Sequence, residues 1–278
     1  MFKKRPDGVY AKNIDPFMKI TPYIMFDRND AMVLTNIKAD CAPLDAFIKK
    51  YSALGVSYSY SDILMAAVVR TLHQYPDLNR FIMNGRIYNR KTIGASIAVH
   101  RSLREGDTES TVKMEYSGFE TIAEVKAKYE EAVHNEIYSE TNDTDATARI
   151  IMRLPGWLVK FAVRFLWWLD RHDMLPASLI KVSPFHTTFW ITNLKSLGMP
   201  TVYHHIYNFG TTGHFYALGK EYYTASVIGR DRVEIRKELN IGTVIDERLC
   251  DGLYIARAIK AMKKYLADPE LLTSAPEK

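Results

Sequence analysis

After Pro184 the chain runs through "TTFWIT", "HFYALG", "YYTASVIG", "RVEIRK" and "LNIGTVI" with no helical pattern between them. These are short apolar or alternating runs rich in β-branched and aromatic residues, and they read as strands. A doubly wound parallel sheet needs a helical crossover between successive strands, so this succession excludes one. Only at Asp251 does a helical period return, with Ile255, Ile259, Met262 and Leu266 on one face and Pro269 near its end.

The first half mixes both patterns. "ITPYIMFD" and "AMVLTNI" read as strands about a bend at Asn29-Asp30. "DCAPLDAFIKKYSAL" places Leu44, Phe47, Ile48, Tyr51 and Leu54 on one helical face, with Asp40 as a cap. "YSDILMAAVVRTLHQYP" is a more apolar and therefore more buried helix, ended by Pro76. "GRIYNR", "TIGASIAV" and "STVKMEYSG" return to strand character. Thr121 and Glu124 form a capping box before the stripe Ile122, Val125, Tyr129 and Ala132, and the polar "SETNDTDATAR" follows. With no linker and no repeat, residues 1–278 are expected to form one α/β domain, a two-layer sandwich of mixed β-sheet and helices.

"LPGWLVKFAVRFLWWL", residues 154–169, is the membrane candidate, but Lys160 and Arg164 interrupt it and it falls short of the ~20 apolar residues that a span needs. Trp157, Phe161, Phe165 and Trp168 share a face, which suits a subunit interface, a pocket wall or a membrane surface. Thirty-seven basic and 32 acidic residues leave +5, with no patch dense enough for nucleic acid. Cys41 and Cys250 give neither a disulfide framework nor a Cys-rich metal site, and are expected as buried thiols. No signal peptide is visible, so a cytoplasmic location is expected.

Chemistry has few candidates. "NFGTTGHF" turns the chain or offers backbone donors to an anion. His204, His205 and His214 lack a carboxylate at a ligand spacing, and neighbours on a strand face opposite ways, so no metal is expected. "DERLCDG", residues 246–252, crowds Asp246, Glu247, Arg248 and Asp251 around a helix start. There Asp251 can cap the helix and Arg248 can pair with either acid, or Glu247 can accept a proton if burial raises its pKa from ~4.3.

The ordered segments "ITPYIMFDRNDAMVLTNI", "VSYSYSDILMAAVVRTLHQYPDLNRFI", "KTIGASIAV", "FWITNLKSLG" and "LNIGTVIDERLCDGLYIARAIKAMKKYLADPELL" resemble the catalytic core of the 2-oxoacid dehydrogenase dihydrolipoamide acyltransferases. That core has the chloramphenicol acetyltransferase-like fold. The resemblance covers roughly residues 15–272, is weakest over 101–183, and includes no lipoyl or subunit-binding module. It implies coenzyme A or acyl-CoA as a substrate, a small thiol or hydroxyl acceptor, and a homotrimer with sites between subunits. In the family a histidine four residues before an acid-glycine pair is the general base, and that position is Glu247 here. Asp251 and Gly252 match the acid and glycine, Asp246 and Arg248 match residues that organise the loop, Thr192 matches the hydroxyl that assists the oxyanion, and Asn193 follows it as a positioning residue. The departure at Glu247 leaves three expectations: an acyltransferase using Glu247 or another histidine, an inactive homologue that binds CoA or a protein, or a scaffold.

Overall fold

A computed structural model describes residues 5–100, 109–138 and 154–277. "SETNDTDATAR" lies outside the described residues. The elements are β1 (Gly8–Tyr10), α1 (Pro16–Ile24), β2 (Met32–Asp40), α2 (Cys41–Ser52), α3 (Tyr60–Gln74), β3 (Arg80–Met83), β4 (Arg86–Arg90), β5 (Ile93–His100), β6 (Glu109–Tyr116) and α4 (Ile122–Tyr138). Then follow α5 (Gly156–Arg171), α6 (Ala177–Val182), β7 (Phe189–Asn193), β8 (His214–Leu218), β9 (Tyr222–Val227), β10 (Val233–Asp246) and α7 (Gly252–Ala267).

The main sheet runs β2-β10-β8-β7-β5-β6, with β9 beside the first half of β10. It is mixed: β7 runs parallel to β5 and β8, and the other pairs are antiparallel. A smaller antiparallel sheet, β1-β4-β3, stands apart. Helices α2, α3, α4 and α7 cover one face, on which Phe189, Ile191, Tyr216, Leu218, Ile241 and Ile245 join the core. Helix α3 is buried almost all round from Tyr60 to Leu72, the environment its continuous apolar run requires. Ser59 and Asp62 close a capping box at its start. This is the expected α/β sandwich, and both cysteines are buried in it.

Two expectations about elements are corrected. "ITPYIMFD" is not a strand, because Asp15 caps a helix there, accepting the Phe17 N–H at 2.7 Å, and Pro16 opens it. Pro22 lies inside α1 and cannot bond to the Met18 carbonyl, which instead accepts Thr21 Oγ1 at 2.8 Å. Phe17, Ile20, Tyr23 and Ile24 are exposed, so the apolar content that resembled a strand lies on the surface. The second correction joins "RVEIRK" and "LNIGTVI" into the single strand β10, whose first half pairs with β9 and whose second half lies between β2 and β8.

On the sheet's other face the segment after β7 crosses β10 so closely that a Cβ on Gly242 would lie 2.1 Å from the Val202 carbonyl oxygen. Thr201 Oγ1 fixes the crossing, donating to Ala217 O and accepting the Gly242 N–H, each at 2.7 Å. Gly242→Ala is expected to destabilise the fold by about 1–3 kcal/mol, because backbone on both sides must shift. Urea denaturation would check this, and an unchanged midpoint would contradict the crossing.

Candidate active site

Strand β10 ends in the acidic loop. The Asp246 N–H donates to Gly213 O and the Glu247 N–H to Ala31 O, each at 2.9 Å, which fixes both backbones. The Asp246 carboxylate accepts Arg248 Nε at 2.8 Å, Nη2 at 2.7 Å and the Arg248 backbone N–H at 3.1 Å. Arg248 Nη1 donates to the carbonyls of Met25 and Phe26 at 2.9 and 3.2 Å, so the pair joins the loop to the end of α1. Both side chains are buried. Arg28 sits beside them, donating to Asn208 O at 2.7 Å and Ile82 O at 3.1 Å. Burial pushes Arg28 down to about 10, and the Asp246 charge opposes that shift.

Leu249 and Cys250 point into the core, where burial pushes the Cys250 thiol up to about 12 and keeps it protonated. Asp251 caps α7, accepting the Tyr254 N–H at 2.9 Å. Gly252 opens that helix, and a Cβ there would meet nothing within 4 Å. Glu247 is exposed between these anchored neighbours, and among the described residues no hydrogen bond orients its carboxylate.

Thr192 and Asn193 end β7, both half-buried. Asn193 Oδ1 accepts the Ser196 N–H at 3.2 Å and so holds the turn that follows. Asn193 also lines a cavity of ≈ 440 Å³ with Tyr60, Lys195, Glu221 and Lys237. Thr192 is in register with Ala217, and Ala217 with Gly242. Glu247 lies five positions beyond Gly242 along β10, so it stands roughly 17 Å along the strand direction and roughly 10 Å across from Thr192. One chain therefore brings Asp246, Glu247, Arg248, Asp251 and Gly252 together, and leaves Thr192 and Asn193 at the sheet's opposite end.

His204 and His205 are not on a strand. They lie in an irregular segment, their rings stacked at 4.6 Å, with the His204 ring 4.0 Å from that of Phe215. Among the described residues no group of three His, Cys, Asp or Glu side chains could hold a metal. His214 opens β8 in the core, with Nε2 2.7 Å from Leu78 O and Nδ1 buried without a partner. Burial pushes its pKa down to about 4, so the ring is neutral near pH 7.

Sequence reasoning missed a buried polar network beside the small sheet. Arg5 pairs with Asp7 at 2.9 Å, Asp170 at 3.0 Å and Asp173 at 3.3 Å. His186 lies 3.0 Å from Asp170 by Nε2 and 2.7 Å from Ser183 Oγ by Nδ1. Burial pushes Asp170 up, but His186 and Arg5 together hold it below the usual carboxylate range. Its partners are up to 168 positions apart, so no local spacing announced it. Asp170 lies in the last turn of α5, on which Trp157, Phe161, Phe165 and Trp168 are exposed. Among the described residues no helix is long and apolar enough to cross a membrane.

This sheet, its helical layer and the strand–loop–helix at residues 246–252 define a protein of the chloramphenicol acetyltransferase-like fold. Solved structures carry the comparison. The chain is similar to a probable dihydrolipoamide acetyltransferase from Listeria monocytogenes 4b F2365, with 16% identity, a TM-score of 0.59 and 98% of each chain covered. It is also similar to the cubic core of the pyruvate dehydrogenase multienzyme complex, at 18% identity and a TM-score of 0.59, covering 95% of this chain and 93% of that one. A chloramphenicol acetyltransferase matches at 15% identity and a TM-score of 0.51, with 93% and 99% covered. No family model matches the sequence, and no curated protein does.

Proposed function

We propose that the protein is a CoA-dependent acyltransferase whose site is completed between copies of the chain, in a homotrimer. The observation that carries this reading is the division of the candidate residues. A rigid loop presents Glu247 at one end of the sheet, and Thr192 and Asn193 stand at the other, so only a second copy can bring the two sets face to face. In this reading Glu247 takes the proton from a small thiol or hydroxyl acceptor. The acceptor atom bonds to the acyl carbonyl carbon of acyl-CoA, and the resulting oxyanion accepts a hydrogen bond from Thr192 of the neighbouring copy. The C–S bond then breaks, and CoA leaves as a thiol carrying the proton that Glu247 returns. An exposed carboxylate is too weak a base near neutral pH, so the neighbour must also desolvate Glu247.

Acetyl-CoA offered with a panel of thiols and hydroxyls is expected to release free CoA faster than buffer does, and Glu247→Gln to slow that release roughly tenfold or more. An unaffected Glu247→Gln variant would remove Glu247 from the mechanism. A second reading, an acyl-CoA binder without turnover, draws on the exposed and unoriented Glu247 carboxylate. It expects CoA to bind with no release in the native protein and release to be gained in Glu247→His, where an imidazole supplies a base near neutral pH. A mass in solution of one chain at all concentrations would count against the intersubunit site.

A further inference from the structure

Between the start of β5, the end of β6 and α6 lies a cavity of ≈ 190 Å³, far from Thr192 along β7. Its wall carries the cations Arg90, Lys91, Lys113 and Lys181 and the acids Asp7 and Glu115. Asp7 is already committed, its two oxygens accepting Arg5 Nε at 2.9 Å and Nη2 at 3.1 Å. Glu115, Lys91 and Lys181 are exposed at the rim. His186 also borders the cavity, but both of its ring nitrogens are engaged, with Ser183 and Asp170.

The two inner cations are differently placed. Arg90 donates through Nη2 to the carbonyls of Thr187, at 2.7 Å, and Thr211, and its Nε is buried with no partner. The guanidinium lies over Phe81, 4.6 Å from the ring centre. Lys113 Nζ donates to Ile180 O at 2.8 Å. Among the described residues neither cation makes an ion pair with a carboxylate. Carbonyl dipoles replace only part of the lost hydration of a full charge, so a desolvated cation held this way is left short of negative charge. The same deficit is visible in the acidities. Burial pushes Arg90 down to about 9, and burial followed by the Arg90 charge pushes Lys113 down to about 8, each only partly opposed by Asp7 and Glu115.

We infer that this cavity binds a small tetrahedral oxyanion, of the phosphate or sulfate kind, with Arg90 and Lys113 as inner donors and Lys91 and Lys181 at the mouth. The Arg90 Nη1 protons, which bond to no described residue, and the remaining protons of the Lys113 ammonium are the donors such an ion needs, and charge-assisted bonds to it are stronger than those to carbonyls. The inference does not depend on acyl transfer.

The test uses the full chain with ¹³C-labelled lysine, titrated by NMR in sodium chloride and in sodium sulfate of equal ionic strength. Sulfate keeps its two charges throughout, so only the protein titrates. The Lys113 midpoint is expected near pH 8 in chloride and to rise by about 1–3 pH units in sulfate, the usual effect of an opposite charge in contact. Exposed Lys263 should stay where it is. Sulfate should also raise the melting temperature of the native chain by more than that of Lys113→Met, a variant that leaves the Arg90 carbonyl bonds intact, since exclusion of sulfate from the surface raises both alike. A Lys113 midpoint that does not move, or that moves no more than Lys263, overturns the inference. Competition by inorganic phosphate alone would assign the site to a free anion, and competition by glycerol 3-phosphate as well would extend it to phosphate monoesters.

Discussion

Arg248→Met is expected to lower the unfolding free energy by about 3–5 kcal/mol, the cost of leaving one member of a buried ion pair without its partner. Here the abandoned group is Asp246, 1% exposed, which loses the Nε and Nη2 donors and keeps only the Arg248 backbone N–H. The carbonyls of Met25 and Phe26 lose their donor in the same step, so the end of α1 comes free of the loop. The double change Asp246→Leu with Arg248→Met should recover part of the loss, since replacing both charges by apolar groups removes the stranded carboxylate. Equilibrium denaturation of the two variants checks this. If Arg248→Met costs less than about 1 kcal/mol, the value of a surface pair, the bridge is not the clamp described above.

Acidification from pH 7 to pH 5 is expected to cost about 2 kcal/mol through His214 alone. The sign follows from linkage. His214 titrates near 6.5 when unfolded and is pushed down to about 4 by burial in the fold, so between those values the unfolded chain binds the extra proton. Stability from this group is therefore complete above pH 6.5 and is lost as the pH falls towards 4. The buried carboxylates do not confuse the reading above pH 5. Asp7 and Asp170 are held below the usual carboxylate range, against burial, by Arg5 and by His186 and Arg5 respectively, so what they contribute is lost at lower pH still. Urea denaturation at pH 7, 6 and 5 measures the slope, and His214→Asn should flatten it whatever that variant costs at pH 7. A slope that survives the substitution would mean another group takes up the proton.

Local patterns made the helices and most strands legible. The Asp40 cap, the Thr121–Glu124 box and the cap at Asp251 all rest on residues within three positions of one another, so the sequence displays them directly. The error at residues 20–27 has the same origin. An exposed apolar helix and a half-buried strand present similar side chains over eight residues, and the Asp15–Pro16 start signal lay just upstream. Within the site, the grouping of Asp246, Arg248 and Asp251 was legible because they share one loop.

By itself, then, the sequence determined the α/β class, the helix starts at Asp40, Thr121 and Asp251, and the buried thiols. Each depends on residue type and short-range spacing. Tertiary structure alone decided that Glu247 is exposed while its neighbours are buried, and that Thr192 lies at the far end of the sheet from it. It also decided that Arg90 and Lys113 meet at one cavity, where among the described residues neither forms an ion pair with Asp7 or Glu115. Those facts depend on desolvation and on distances between residues far apart in the chain, and both quantities exist only once the sheet has paired and the helices have closed over it.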